Sequence, residues 1–263
     1  MTIGTGIRRA GVAGLFALAG VLCAESALAE NTPQCTAPAE AAGLEREPGH
    51  IRDRVAKGLP LKIVAIGSSS TSGAGASAPD KTYPARLEAE LKARLPGLPI
   101  TVLNKGIGGE EAAQMLARFD ADVLDEAPDL VIWQVGSNSV LLNHDAPGTI
   151  IDQGIERLKQ SGTDIILMNQ QFAPKILEKG ERALRSVDVI TATARDEEVG
   201  LFNRWVAMRS WVETQNMPFE QFMTADGLHM NDWGYACVAK LLATAILDGA
   251  RLPAATAKAS TAQ

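Results

Sequence analysis

Apolar residues recur along the chain with two different spacings, and the switching between them lays out the fold. Residues 61–66 (LKIVAI), 100–103 (ITVL), 129–135 (DLVIWQV), 164–168 (DIILM) and 199–202 (VGLF) are short, almost unbroken apolar runs. Runs of this kind predict strands covered on both faces. Between them, 82–95, 110–119, 148–161, 178–196, 203–214 and 231–249 carry the wider spacing of helices, the first stopped by Pro96 and Gly97. Regular strand–helix alternation predicts a three-layer α/β/α fold, with a central parallel sheet of about five strands and right-handed crossovers. Sheets of this type bind ligands in the crevice beyond the carboxyl ends of their strands. The loops that follow the strands are therefore the place to look for chemistry.

The chain ends follow a different pattern. Arg8 and Arg9 precede an apolar stretch from Ala10 to Cys23, and Ala27-Leu28-Ala29 offers a small-x-small cleavage site. The apolar stretch is shorter than the roughly 20 residues a membrane span needs. Residues 1–29 are expected to be a signal peptide, making the protein exported, periplasmic or secreted, without stable membrane insertion. Residues 30–59 are expected to form an arm with a short helix near 49–57, residues 60–249 the main domain, and the Ala/Thr/Ser-rich 250–263 a disordered tail.

Composition then narrows the partners. The 263 residues are 46% hydrophobic, enough for a sizeable core, which excludes disorder as the main state. Lys+Arg 25 against Asp+Glu 31 gives a charge of −6, which argues against nucleic acid as partner. Losing 1–29 removes Arg8, Arg9 and Glu25, shifting that −6 by one unit to −7. It also removes Cys23, leaving Cys35 and Cys237. In an oxidising compartment this pair is either a disulfide or two free thiols. No zinc-type cysteine spacing is present, and no metal or organic cofactor is expected.

Four loops carry candidate chemistry. After the first strand comes Gly67-Ser68-Ser69-Ser70-Thr71. It lacks the Gly-Lys-[Ser/Thr] of a P-loop and the final glycine of a Gly-x-Ser-x-Gly elbow, so a flexible turn and a nucleophile's seat both remain open. After the second comes Gly106-Ile107-Gly108-Gly109-Glu110-Glu111, in which the two glutamates would repel a pyrophosphate. Its glycines could present a bare N–H to an oxyanion. After the third, Asn138 is either a turn cap or an amide donor to developing negative charge. Last, Asp226 lies three residues before His229, ahead of the final helix. They form either a capping pair or a carboxylate that fixes an imidazole tautomer. A metal reading of Asp226, His229 and Asp232 lacks a second His or Cys cluster.

Taken in order, these loops resemble the four blocks of the SGNH/GDSL hydrolase (esterase/lipase) family, over a span from Leu61 to about Gly249. The resemblance implies the flavodoxin-like SGNH hydrolase fold. It implies Ser69 as nucleophile, His229 as base and Asp226 as its orienting carboxylate, with an oxyanion hole from the N–H groups of Ser69 and Gly109 and the Asn138 amide. Ser68 and Ser139 replace the Asp residues usual beside the block-one serine and the block-three asparagine. The implied activity is hydrolysis of short-chain acyl esters, O-acetyl on a carbohydrate being favoured because no large apolar lid is evident. Lipase, thioesterase or acyltransferase chemistry on the same residues, and non-catalytic glycan binding, are the alternatives. Gln170, Gln171 and Phe172, with His144 and Asp145 at the rim, are candidates for lining the acceptor side or for ordinary packing and surface roles.

Overall fold

In a computed structural model, residues 1–2, 34–44 and 46–252 are described. The expected signal peptide and the tail beyond Leu252 lie outside the described residues, save for the first two positions. Five strands, β1 (Leu61–Gly67), β2 (Ile100–Gly106), β3 (Leu130–Gln134), β4 (Asp164–Met168) and β5 (Gly200–Phe202), form one sheet in the order β2-β1-β3-β4-β5. Every pairing is parallel.

Strand alternation divides the core in two. Ile63, Ala65, Leu130, Ile132, Ile166 and Met168 face one layer, with side chains of the helices Tyr83–Arg94, Arg204–Glu213 and Asp232–Gly249. Their immediate neighbours Val64, Ile66, Val131, Trp133, Ile165 and Leu167 face the other, with Ala112–Ala117, Gly148–Gln160 and Glu181–Asp196. A parallel strand buried on both faces has no polar side to show, which is why these runs read as continuously apolar.

The differences from expectation have local causes. β2 extends to Gly106 although Asn104 and Lys105 are polar, because it is an edge strand with one neighbour. The helix expected over 110–119 is two pieces, Ala112–Ala117 and Phe119–Asp122, broken at Arg118, whose side chain turns back onto the Lys105 carbonyl near the end of β2. The helix expected from 178 starts at Glu181, after Gly180 with φ 53°. Residues 34–59 do not stand apart: Ala41 and Ile51 are buried, Trp211 Nε1 donates to the Thr36 carbonyl, and Cys35 is disulfide-bonded to Cys237 in the last helix. Ala250, placed at the start of the tail, is fully buried.

Strand order fixes where loops converge. From β1 the chain crosses outward to β2, then returns past β1 to β3, so the ends of β1 and β3 lie at the topological switch point.

Candidate active site

β1 ends at Gly67, and the chain turns at once into the single helical turn Ser69–Ser72. This turn decides which serine of the run is available. Ser68 and Ser70 are buried, and both hydroxyls donate to the side-chain oxygen of Gln134, at 3.0 and 3.1 Å. Ser69, between them, is only half-buried, and its Oγ lies 2.9 Å from Nε2 of His229. Ser68, where a GDSL sequence has Asp, is thus an anchor at the base of the turn.

His229 is held by a loop that closes on itself. Met223 and Met230 form an isolated antiparallel bridge, and the Thr224 N–H donates to the His229 carbonyl at 2.8 Å. Asn231 caps the following helix, its side chain accepting from Gly234 N–H. Inside the loop, Asp226 Oδ1 accepts from Leu228 N–H (2.8 Å), His229 N–H (2.9 Å) and Thr224 Oγ1 (2.7 Å), while Oδ2 lies 2.5 Å from His229 Nδ1. Partial burial opposes ionisation of Asp226, but the bonds from His229, Leu228 and Thr224 outweigh it and hold the carboxyl well below the usual carboxylate range. A carboxylate accepting at Nδ1 assigns the ring proton there and leaves Nε2 as acceptor toward Ser69. Gly75 lets the nucleophile loop approach: a Cβ there would lie 2.5 Å from the Met230 carbonyl and 3.1 Å from His229 Cβ.

Two other loops close the site. Asn138, in the helical turn Ser137–Leu141 after β3, donates its side-chain N–H to the Glu110 carbonyl at 2.7 Å. Gly109, just before Glu110, has φ 85°, a conformation that favours glycine. Arg118 braces this loop through Glu110 and the Lys105 carbonyl. A cleft of about 610 Å³ flanks the Ser69–Ser72 turn, lined among others by Ser72, Ser77, Thr82 and Asn104; neither Ser69 nor His229 lines it.

The acceptor-side expectation needs correction. Gln170 and Gln171 are buried: Gln170 donates to the Ala183 carbonyl and Gln171 to the Leu228 carbonyl, so both side chains are taken up by packing and hydrogen bonds within the protein. Phe172 packs against Trp205 and Phe219. His144 is exposed and bound to Glu111, and Asp145 pairs with Arg182; neither joins the Ser69–His229 contacts. Asp232, a metal candidate with Asp226 and His229, instead accepts from Ser77, and no group of metal-ligating side chains occurs among the described residues. Sequence reasoning missed Gln134 and Arg204. A polar residue interrupting the apolar stretch 130–135 was the available signal for Gln134.

The five-stranded, all-parallel, doubly wound sheet defines the class: a three-layer α/β/α fold of the kind found in GDSL-like hydrolases. The chain belongs to the non-GDSL lipase-like family, whose model matches residues 34–252. An acetylxylan esterase of Geobacillus stearothermophilus is 38% identical over 65 residues, 25% of this chain and 30% of that protein. A two-domain esterase active on acetylated mannans superposes with TM-score 0.66 at 24% identity, covering 82% of this chain and 57% of its own. An α/β hydrolase enzyme from the metagenome of Lake Arreo, Spain, gives TM-score 0.60 at 25% identity, covering 72% and 98%. The match therefore spans 30% and 57% of the lengths of the first two relatives.

Proposed function

We propose that the protein is an exported serine esterase that removes short acyl groups, O-acetyl above all, from carbohydrates. The observation that carries the reading is the unbroken relay Ser69 Oγ–His229–Asp226, with contacts of 2.9 and 2.5 Å, at the switch point of the sheet. His229 Nε2 takes the Ser69 proton as Oγ attacks the ester carbonyl, and Asp226 stabilises the imidazolium that forms. The tetrahedral oxyanion is met by the N–H groups of Ser69 and Gly109 and by the Asn138 amide. That amide has two N–H bonds, and the one spent on Glu110 leaves the other for substrate. His229 then protonates the leaving sugar oxygen, and water, deprotonated by the same imidazole, releases acetate from Ser69.

The acetyl-carbohydrate choice is supported by the relatives active on acetylated xylan and mannan. Export is supported by the Cys35–Cys237 disulfide, which fits an oxidising compartment, and by the 1–29 pattern. No helix among the described residues is long and apolar enough to cross a membrane. The test is kcat/KM across p-nitrophenyl esters of rising acyl length, together with acetate release from acetylated xylo- and manno-oligosaccharides. Acetyl is expected to be the best acyl group, with acetate released from the oligosaccharides. A maximum at octanoyl or longer would overturn the acyl assignment.

A further inference from the structure

One buried side chain, through one partner, ties three of the four loops of the site together. Arg204, the first residue of the helix Arg204–Glu213, is fully buried. Its Nη1 donates to Ser70 Oγ at 3.0 Å, its Nη2 to Gln171 Oε1 at 2.9 Å and its Nε to the Asn169 carbonyl at 3.1 Å. Gln171 extends the reach: Oε1 also accepts from Ser137 Oγ at 3.0 Å, and Nε2 donates to the Leu228 carbonyl at 3.1 Å. Ser70 follows Ser69, Ser137 precedes Asn138, and Leu228 precedes His229. The pair thus holds the chain neighbours of Ser69, Asn138 and His229.

The fold alone gives little reason for such an arrangement. Among the described residues no carboxylate pairs with Arg204; its acceptors are two carbonyl oxygens and a hydroxyl. Burial pulls its guanidinium down to about 10, against the opposing influence of Tyr83 and Tyr235, and it stays charged at neutral pH. A buried cation without a counter-charge costs more than an apolar side chain of similar size. It also sits in the first turn of a helix, where the helix dipole opposes positive charge. The position is nevertheless well determined, since Asn169 accepts from Trp205 N–H and donates to Asn203, the cap of that helix. Local rules broken in this way concentrate at functional sites.

We propose that Arg204 and Gln171 are positioning residues that hold Ser69, Asn138 and His229 in register for acyl transfer. The proposal rests on the serine-esterase reading above. It is tested by kcat and KM for p-nitrophenyl acetate in Arg204→Met, expressed per Ser69 labelled to completion by a fluorophosphonate. That normalisation counts only folded sites, so a purely structural role leaves kcat per site unchanged. The expected result is a fall in kcat of at least about fivefold with KM within twofold, because the lost bonds align reacting groups and touch no substrate. A smaller fall, or a loss confined to KM, overturns the proposal. Should Arg204→Met fail to fold, Ser70→Ala, which deletes only the hydroxyl that accepts from Nη1 and donates to Gln134, decides by the same criterion. A wild-type protein that neither labels at Ser69 nor turns over sinks the esterase reading itself. Wild-type turnover with an indifferent Arg204→Met sinks the positioning pair alone.

Discussion

Replacing Asp226 by Asn separates the two jobs of this carboxylate. Three of its four bonds arrive at Oδ1, from Thr224, Leu228 N–H and His229 N–H, and an Asn oxygen can accept all three, so the loop keeps its shape. The fourth, between Oδ2 and His229 Nδ1, is replaced by an amide donor facing the ring. The ring must then accept at Nδ1 and carry its proton on Nε2, toward Ser69 Oγ, where it can no longer take the serine proton. Loss of tautomer control of this kind costs about 10⁴-fold in kcat, or about 5 kcal/mol of transition-state stabilisation. Asp226→Asn is therefore expected to stay folded but to melt below wild type at neutral pH, because the charge those bonds favour is gone, with kcat for p-nitrophenyl acetate about four orders of magnitude lower and KM little changed. Asp226→Ala, which also deletes the Oδ1 anchors, is expected to melt lower as well. An Asn variant that keeps activity within about tenfold of wild type would refute the relay.

Three further outcomes follow from the same geometry. Asn138→Ala is expected to lower kcat by about 10²–10³-fold, about 2.7–4 kcal/mol, as for loss of one oxyanion donor; steady-state kinetics on an acetyl ester check it, and an unchanged kcat removes Asn138 from the hole. Because the Asp226 carboxyl titrates below its unfolded value near 3.9, its stabilising effect is complete above that pH and is lost as pH falls toward the folded value. The wild-type Tm is accordingly expected to decline between pH 5 and pH 3 more steeply than that of Asp226→Asn, and parallel curves would contradict this. Replacing Cys35 and Cys237 with Ser opens a crosslink between residues 202 apart and is expected to cost about 2–5 kcal/mol in denaturant unfolding. Equal unfolding midpoints would show that the bridge does not restrain the unfolded chain.

How far the fold could be read in advance depended on which force placed each residue. Strands were legible because Ile63 and Val64, or Ile132 and Trp133, bury on opposite faces of one sheet and leave an unbroken apolar run. The end of β2 was not, because an edge strand tolerates Asn104 and Lys105. Ser69, Asp226 and His229 could be singled out only through a family resemblance, whose register points to Ser69; the burial of Ser68 and Ser70 beneath the turn is consistent with that choice. Gln170 and Gln171 read as candidates for the acceptor side because polar loop positions are ordinarily exposed. Their burial depends on Ala183, Ser137, Leu228 and Arg204, partners that only tertiary structure brings near. Arg204 left no local trace at all, since a basic residue at the start of a helix is expected to reach for solvent.

The central claim is that Ser69 carries the acyl group, and rapid acid quench of the wild-type protein with p-nitrophenyl acetate, followed by peptide mass mapping, tests it most directly. An acetyl adduct on Ser69, absent from Ser68 and Ser70 and absent in His229→Ala, is the expected result. An adduct on another residue, or turnover that persists in Ser69→Ala, would contradict the account.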